Sequence, residues 1–246
     1  MEKVVLVTGS SKGIGAACIR EFAKNGYNVV INYVNNEVAA NFLKEEVERE
    51  YNVKALVIKC DVSKEYEVKN MVESIINTFG KIDVLVNNAG IAIDTIFDDK
   101  TKDNFMKTLE VNLVGTFLVS KEVGKYMMNN KNGSIINVSS TNGIDTIYPE
   151  SLDYDASKAG VISLTKNLAI EYHPYVRVNT VAPGWVLTDM NKELDSEFIK
   201  NEERKILLNR FADPSEIAKV IYFLSTEEAS YINGSVIRVD GGVNNV

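Results

Sequence analysis

The N-terminal stretch Lys3-Val4-Val5-Leu6-Val7-Thr8-Gly9-Ser10-Ser11-Lys12-Gly13-Ile14-Gly15 decides how this chain folds. It begins with apolar, mostly β-branched residues, which is the composition of a buried parallel strand. Three glycines follow, and residues 16–24 then have the pattern of a helix that ends at Asn25-Gly26. Glycine permits a tight turn and lets backbone N–H groups approach a pyrophosphate, to which the helix N-terminus adds a favourable dipole. The stretch therefore predicts a strand–turn–helix unit that can bind a dinucleotide.

The spacing of these glycines leaves other interpretations open. It is Gly-x3-Gly-x-Gly rather than the Gly-x-Gly-x-x-Gly of the usual dinucleotide fingerprint. A purely structural turn remains an alternative, as does a flavin or S-adenosylmethionine site on the same fold. The ligand must therefore be inferred from residues elsewhere in the chain.

Strand-like and helix-like segments alternate to the end of the sequence. The predicted strands span residues 3–7, 28–33, 53–59, 83–87, 134–138, 176–181 and 235–239. The predicted helices span residues 13–24, 36–51, 64–79, 102–129, 153–172, 190–209 and 214–225. Such alternation implies right-handed crossovers and a parallel sheet with helices on both faces. No linker or repeat divides the 246 residues, so we expect one α/β domain over residues 1–246, a doubly wound Rossmann-type sheet that binds ligands at the carboxyl ends of its strands.

Two helix starts carry capping residues. Ser63 is positioned to cap the helix at 64–79, with Glu65 in its first turn. The segment Asp213-Pro214-Ser215-Glu216 combines a cap, a proline at the first helical position and a carboxylate three residues after the cap. Both segments predict where a helix begins.

The bulk composition excludes several kinds of partner. The chain has 27 Lys and Arg against 34 Asp and Glu, a formal net charge of −7, which opposes binding to nucleic acid. No stretch approaches the roughly 20 apolar residues that a membrane span needs. Met1 leads almost directly into the first strand, which leaves no space for a signal peptide. We therefore expect a cytoplasmic protein with neither nucleic-acid nor membrane partners.

Cysteine and histidine usage argues against a metal site. Cys18 and Cys60 fall in a predicted helix and a predicted strand, and they are expected to be buried thiols rather than a disulfide. The single histidine, His173, stands beside Pro174 at a helix end and is expected to be exposed and structural. Without a Cys or His cluster, zinc binding is not expected.

A possible proton donor lies in Tyr154-Asp155-Ala156-Ser157-Lys158. Residues four apart share one face of a helix, with Cβ atoms about 5–6 Å apart. A free tyrosine has a pKa of about 10, and a nearby positive charge lowers it. We therefore expect Lys158 to lower the pKa of Tyr154 and to prepare it for chemistry at a carbonyl. By itself the pair is weak evidence, since this spacing is common on solvated helices.

Further segments follow the later predicted strands in a fixed order. They are Asn87-Asn88-Ala89-Gly90, Val111-Asn112-Leu113, Ser139-Ser140, Pro183-Gly184 with Thr188, and Arg238-Val239-Asp240-Gly241-Gly242. Taken with the glycine turn and the Tyr–Lys pair, the whole chain resembles the short-chain dehydrogenase/reductase family. Within that family it is most similar to the bacterial 3-oxoacyl-[acyl-carrier-protein] reductases. The resemblance implies a seven-stranded sheet in the order 3-2-1-4-5-6-7.

The resemblance also implies four catalytic residues. Tyr154 would protonate the substrate oxygen, Lys158 would support Tyr154 and bind the nicotinamide ribose, and Ser140 would position that oxygen. Asn112, at a kink in its helix, would hold a water that links Lys158 to solvent. Ser140 is preferred over Ser139 because Ser140-Thr141-Asn142-Gly143 matches the Ser-x-x-Gly of the family. The competing tyrosines Tyr148 and Tyr172 have no lysine four positions later.

The implied cofactor is a nicotinamide dinucleotide. Its expected contacts are Gly9, Ser11, Lys12, Gly13, Ile14, Gly15, Asn32, Tyr33, Asp61, Val62, Asn88, Ala89, Gly90, Tyr154, Lys158, Pro183, Gly184, Val186 and Thr188. For Asp61 a role as a turn residue, and for Asn88 a role in tying the central strands together, remain equally open. Enzymes that use NAD usually have a carboxylate after the second strand. Here Ile31-Asn32-Tyr33-Val34-Asn35 has none, and Lys12 can reach a 2′-phosphate, so NADP is favoured over NAD.

The expected activity is NADPH-dependent reduction of a 3-oxoacyl thioester, carried on acyl carrier protein or CoA, to the 3-hydroxyacyl form. Two alternatives remain: a family member that acts on another small ketone or alcohol, such as a sugar or steroid, and a non-catalytic dinucleotide-sensing scaffold. Residues 189–211 resemble the substrate lid of the family, and Trp185 can face either the lid or the core.

Assembly and carrier binding rest on the resemblance as well. Relatives of this length are usually homotetramers, with the helices at 102–129 and 153–172 in one interface. Lys125 and Lys131 are candidates for holding an acidic carrier protein at the entrance. The segment Glu171-Tyr172-His173-Pro174-Tyr175 lacks the arginine expected for that purpose, which weakens the carrier assignment.

Overall fold

The computed structural model describes residues 2–188 and 194–242. Within them the strands are β1 (Val4–Val7), β2 (Asn28–Tyr33), β3 (Ala55–Lys59), β4 (Val84–Asn87), β5 (Gly133–Val138), β6 (Val176–Pro183) and β7 (Val236–Val239). The helices are α1 (Gly13–Lys24), α2 (Glu37–Tyr51), α3 (Glu65–Phe79), α4 (Lys102–Leu109), α5 (Gly115–Asn129), α6 (Leu152–Glu171), α7 (Ser196–Arg204) and α8 (Pro214–Ser225). The strands form one parallel sheet in the order β3-β2-β1-β4-β5-β6-β7, which confirms the predicted fold class.

Both faces of the sheet are covered by helices. Val5 and Val7 of β1 belong to the layer that α1, α2 and α8 pack against, whereas Val4 and Leu6 belong to the layer of α3, α5 and α6. All four side chains are at most 1% exposed. Burying such a side chain contributes about 1.5–3 kcal/mol. The continuous apolar run therefore favours a central position for β1, where both faces of the sheet are covered.

The position of β1 also creates the place where a ligand can bind. β1 pairs with β2 on one side and with β4 on the other, so the crossovers leave in opposite directions at this point. A crevice forms beyond the carboxyl ends of the strands at such a reversal. The segments after β1, β4, β5 and β6 all meet there, and they carry the residues singled out in the sequence.

Three details of the helices differ from the sequence prediction. The predicted helix at 102–129 is divided by a π-helical turn over Glu110–Val114. The predicted helix at 190–209 is shorter, with α7 at Ser196–Arg204, and residues 189–193 of the expected lid lie outside the described residues. The cap predicted at Ser63 is wrong: α3 is preceded by Lys64, which makes no capping bond, while the Ser63 hydroxyl donates to Asp61 Oδ1 at 2.8 Å.

The cysteines and the histidine lie as expected from the sequence. Cys18 and Cys60 are buried, free thiols, with Cys60 directly after β3 rather than in it. His173 is exposed. The described helices include none that is long and apolar enough to cross a membrane. Over the same residues, no group of three or more His, Cys, Asp or Glu side chains is arranged to hold a metal ion.

The start of α8 has the capping contacts that the sequence predicts. Asp213 Oδ1 accepts from Ser215 N at 2.8 Å, and Glu216 Oε2 accepts from Asp213 N at 2.8 Å, which confirms the predicted capping box. Asp213→Ala should lower the free energy of unfolding by about 1 kcal/mol, as measured by urea denaturation. Ser63→Ala is the matched variant and should cost clearly less, because Ser63 caps no helix. Equal costs for the two variants would contradict this assignment.

Candidate active site

The glycine turn after β1 is packed tightly against the segment after β4. Gly9 has φ +60°, and a Cβ on it would lie 2.8 Å from Ala89 Cα. A Cβ on Gly15 would lie 2.6 Å from Asn88 Nδ2. Asn88 Nδ2 itself donates to the backbone oxygens of Thr8 and Gly9, both at 3.0 Å. Only glycine fits these positions, and Asn88 ties the central strands together, as one of its two proposed roles requires.

The side of the crevice next to β2 and β3 is held by a second set of contacts. Asn32 Oδ1 accepts from Gly9 N at 2.9 Å, and its Nδ2 donates to the backbone oxygen of Cys60 at 3.0 Å. The side chain of Asn32 is therefore engaged in joining β1, β2 and β3. Asp61 Oδ1 accepts from the amide and the hydroxyl of Ser63, so Asp61 serves at least as a turn residue. Lys12 is exposed at the start of α1, where its side chain makes no capping bond.

The segment after β6 completes the crevice on its other side. Thr188 lies against Gly13, since a Cβ on that glycine would be 3.5 Å from Thr188 Cγ2. Gly184 packs on Asp240, whose Cβ would be 2.9 Å from an added Cβ. The structure therefore brings the glycine turn together with Pro183–Thr188, as the sequence resemblance implied. Of the predicted set, Val62 and Val186 are buried, and Ser11 and Ile14 lie in or beside the turn with partial exposure.

Tyr154 and Ser140 line one cavity of about 680 Å³ at the carboxyl edge of the sheet. Lys158 lies behind the tyrosine, with Nζ 5.4 Å from the centre of its ring, and donates to the Val138 backbone oxygen at 2.9 Å. Ser139 is turned away, because its hydroxyl donates to the Lys158 backbone oxygen at 2.8 Å. Of the two adjacent serines, Ser140 is therefore the one that faces the cavity.

The expected direction of the Tyr154 pKa is wrong. Loss of solvent around the phenol raises the pKa of Tyr154 to about 12, with the carboxylates of Asp155 and Asp94 also raising it and a hydrogen bond with Ser140 acting against them. Burial also lowers the pKa of Lys158 to about 8. The sequence shows that the two side chains are neighbours but not how far each is buried: Lys158 is 4% exposed, whereas Tyr154 is half-buried at the cavity wall. Desolvation disfavours each charged form, so it holds the proton on the tyrosine and weakens the charge on the lysine.

Asn112 lies in the π-helical turn and is 1% exposed. Its Oδ1 accepts from Ile91 N at 2.8 Å, and its Nδ2 donates to the Ile91 oxygen at 2.9 Å and to Ser157 Oγ at 3.0 Å. The Ser157 hydroxyl donates in turn to the Tyr154 backbone oxygen at 2.7 Å. Asn112 thus joins the segment after β4 to α6. The irregular turn agrees with the kink expected there.

The outer wall of the cavity contains a residue that the sequence did not indicate. Glu202 of α7 is 5% exposed, and its Oε2 accepts from the Tyr148 hydroxyl at 2.7 Å and from Trp185 Nε1 at 3.2 Å. Trp185 also stacks on Phe211 with ring centroids 5.3 Å apart. Trp185 therefore faces the lid side. A lone acid in a short charged helix gives no sign of such a contact in the sequence.

The proposed place of the carrier-binding lysines is wrong. Lys131 lies two residues before β5, and Lys125 lies in the last turns of α5, which runs back from the crevice. Both therefore lie towards the amino edge of the sheet, opposite the cavity. Lys125 is paired with Glu122 at 2.8 Å, and Lys131 Nζ is 5.6 Å from the centre of the Tyr175 ring.

A doubly wound sheet with a glycine turn and a Tyr–Lys pair at its reversal point defines the class of NAD(P)-dependent oxidoreductases. A family model described as enoyl-(acyl carrier protein) reductase matches residues 9–244. The 3-oxoacyl-[acyl-carrier-protein] reductases of Thermotoga maritima and Aquifex aeolicus are 40% and 41% identical to the chain over 242 residues, which is 98% of this chain and 97% of each relative. The chain belongs to the short-chain dehydrogenase/reductase family.

Solved structures agree with this assignment. The crystal structure of an acetoin dehydrogenase from Salmonella typhimurium has a TM-score of 0.90 and 34% identity, and the match covers 100% of this chain and 98% of that one. A levodione reductase also has a TM-score of 0.90 and 34% identity, with 97% and 96% covered.

Proposed function

We propose that this protein reduces a 3-oxoacyl thioester to the 3-hydroxyacyl form with NADPH, within a single catalytic domain. The names of the relatives that match almost the whole chain support the substrate class. The observation that carries the chemistry is the cavity at the reversal point of the sheet, which Tyr154 and Ser140 line together with Lys158 directly behind the tyrosine. A scaffold that only senses a dinucleotide would not need this arrangement.

The residues around the crevice fit a nicotinamide dinucleotide. Gly13, in the turn beside Thr188, leaves room where a side chain would fill the cradle, and α1 presents its N-terminus there. Gly9, Gly13, Gly15, Asn88–Gly90 and Pro183–Thr188 would hold it, and when bound it supplies the hydride. NADP is favoured because β2 ends without a carboxylate and Lys12 is exposed beside the crevice.

Each catalytic side chain has a task that its surroundings support. Ser140 donates to the substrate oxygen and fixes its position in the cavity. Tyr154 gives up its proton to that oxygen as the carbonyl is reduced, and its raised pKa means that the phenol is protonated at neutral pH before the reaction. Lys158 restores the proton, since a pKa of about 8 lets it exchange protons near neutrality. Asn112 and Lys158 lie beside the same glycine, since a Cβ on Gly90 would be 3.4 Å from Asn112 Oδ1 and 3.5 Å from Lys158 Nζ, and in this proposal Asn112 holds a water there.

A second candidate is reduction of a small ketone that carries no thioester. It is favoured by the two structural neighbours that act on small ketones by name. The cavity lining also includes the carboxylates of Asp94 and Glu150. Lys125 and Lys131 lie at the far edge of the sheet from the cavity of their own chain, which gives no support to carrier binding at its entrance.

We propose that the protein forms a homotetramer, as relatives of this length usually do. Homotetramers of relatives use the two long helical segments, which here are α4 with α5, and α6. Side chains of Met106 and Phe117 on these helices are 42% and 41% exposed, which is consistent with a covered face in solution. A light-scattering mass equal to that of one chain would contradict it.

The substrate is tested with acetoacetyl-CoA, an acetoacetyl carrier-protein thioester, a sugar ketone and a small diketone, each with NADPH and with NADH. Tyr154→Phe should lower kcat on the thioester by about 10²–10⁴-fold, because no other phenol in the described cavity is free to donate, and it should still bind NADPH. Tyr172→Phe is the matched control and should keep its activity, since its hydroxyl donates to the Ser120 oxygen away from the cavity. Reduction of the diketone alone would favour the second candidate, and full turnover by Tyr154→Phe would refute the mechanism.

The pH dependence of reduction follows from the two pKa directions. Tyr154 remains protonated well above neutral pH, whereas Lys158 loses its proton as the pH rises through about 8. The kcat/KM for reduction, which reflects the free enzyme, should therefore be level below pH 7.5 and then fall by about tenfold per pH unit above the lysine pKa. Initial rates between pH 6 and 10 measure this. A kcat/KM that increases from pH 7 to pH 9.5 would show that reduction needs the deprotonated form of one of these groups.

A further inference from the structure

A buried ion pair lies directly beside the catalytic tyrosine in the sequence. Lys100 Nζ and Asp153 Oδ1 are 2.8 Å apart, and the side chains are 4% and 0% exposed. Lys100 Nζ also donates to the backbone oxygen of Ile93 at 2.6 Å, and Thr108 Oγ1 donates to Asp153 Oδ2 at 2.7 Å. Each carboxylate oxygen therefore has one strong donor. Burial alone would raise the pKa of Asp153, but the hydrogen bonds from Lys100 and Thr108 outweigh it and hold the pKa below its usual value, so the pair stays charged.

The pair connects two different walls of the cavity. Ile93 belongs to the segment after β4, which contributes Ala92 and Asp94 to the cavity lining. Asp153 belongs to the first turn of α6 and is followed at once by Tyr154. Lys100 therefore reaches from one wall to the other, at the end away from the glycine turn. Asn112 makes a comparable connection nearer the cofactor side, from Ile91 to Ser157.

The stability of the fold does not by itself explain a buried ion pair between Lys100 and Asp153. Apolar residues of similar volume are often as stabilising as a buried ion pair, or more so, because removing two charges from water is costly. What an ion pair with fixed donors provides is a defined geometry between the elements that it joins. Here those elements are the segment at 91–94 and the start of the tyrosine helix.

We propose that Lys100 and Asp153 are positioning residues, which set the distance between the segment at 91–94 and Tyr154 and thereby place the substrate carbonyl against the phenol. Neither side chain lines the cavity. They act through the backbone of Ile93 and through the first turn of α6. Cofactor binding, which uses the glycine turn on the other side, does not depend on them.

The test compares two double variants with the same chemical change. Lys100→Met/Asp153→Asn removes the charges of this pair. Lys81→Met/Asp83→Asn does so for a partly buried pair 3.1 Å apart, just before β4 at the opposite edge of the sheet. Three quantities are measured: kcat on the ketone that the wild type reduces, the dissociation constant of NADPH, and amide hydrogen exchange at residues 91–96.

Lys100→Met/Asp153→Asn should lower kcat by about 10- to 100-fold, as expected for a misplaced reacting group. Its NADPH dissociation constant should be unchanged, and exchange at 91–96 should become faster. The control variant should stay within about twofold of the wild type in all three measurements. Wild-type kcat and wild-type exchange in Lys100→Met/Asp153→Asn would overturn the proposal.

A single variant keeps the test decisive if the double variant does not fold. Asp153→Asn retains an oxygen that can accept from Lys100 but loses the charge, so kcat should fall less, with faster exchange at the same residues. An unchanged kcat and exchange in Asp153→Asn would overturn the proposal as well. The kinetic arm rests on the proposed function, whereas the exchange arm needs no substrate. A wild type that reduces no thioester would therefore refute the substrate class and leave the positioning role to be decided by exchange.

Discussion

Desolvation of Tyr154 and Lys158 is the constraint on which the chemistry of this site depends. The two side chains are neighbours on α6, and the obvious electrostatic argument would have the cation draw the proton from the phenol. In the structure the loss of water dominates, so the pKa of the tyrosine is raised and that of the lysine is lowered. The phenol is consequently protonated at neutral pH, as a proton donor to a carbonyl oxygen must be, while its raised pKa makes it a weaker acid than a free tyrosine.

The fold supplies this desolvation through contacts at the reversal point of the sheet. β1 can lie at the centre because its side chains are buried on both faces, and its glycine turn then packs directly on the segment after β4. That segment is bonded to the π-helical turn by Asn112 and to the tyrosine helix by Lys100. The cavity is therefore bounded by backbone segments whose positions are fixed by buried polar side chains, and not by loops alone.

Much of this architecture could be predicted from the sequence. Every predicted strand was found within two residues of its expected ends, because β-branched runs bounded by helix patterns leave little ambiguity in an α/β chain. The capping box at Asp213 was predictable since all of its partners are local in sequence. Ser140, which the Ser-x-x-Gly pattern favours over Ser139, is also the serine that lines the cavity, whereas the bond from Ser139 to the Lys158 backbone is visible only in three dimensions.

The failures over Tyr154, Glu202 and Asp153 share one cause, which is dependence on contacts between distant segments. The direction of the Tyr154 pKa depends on how much protein surrounds the phenol, and the roles of Glu202 and Asp153 depend on partners from other elements. The misplaced Lys131 is different, because the information was present: a residue just before a strand of a parallel sheet must lie at the edge opposite the strands' carboxyl ends.

Direct titration of Tyr154 by NMR of ¹³Cζ-labelled tyrosine, with the resonance assigned by its absence in Tyr154→Phe, tests the central claim. We predict a pKa well above the ordinary value of about 10, towards about 12, and a pKa below about 9 would contradict the account.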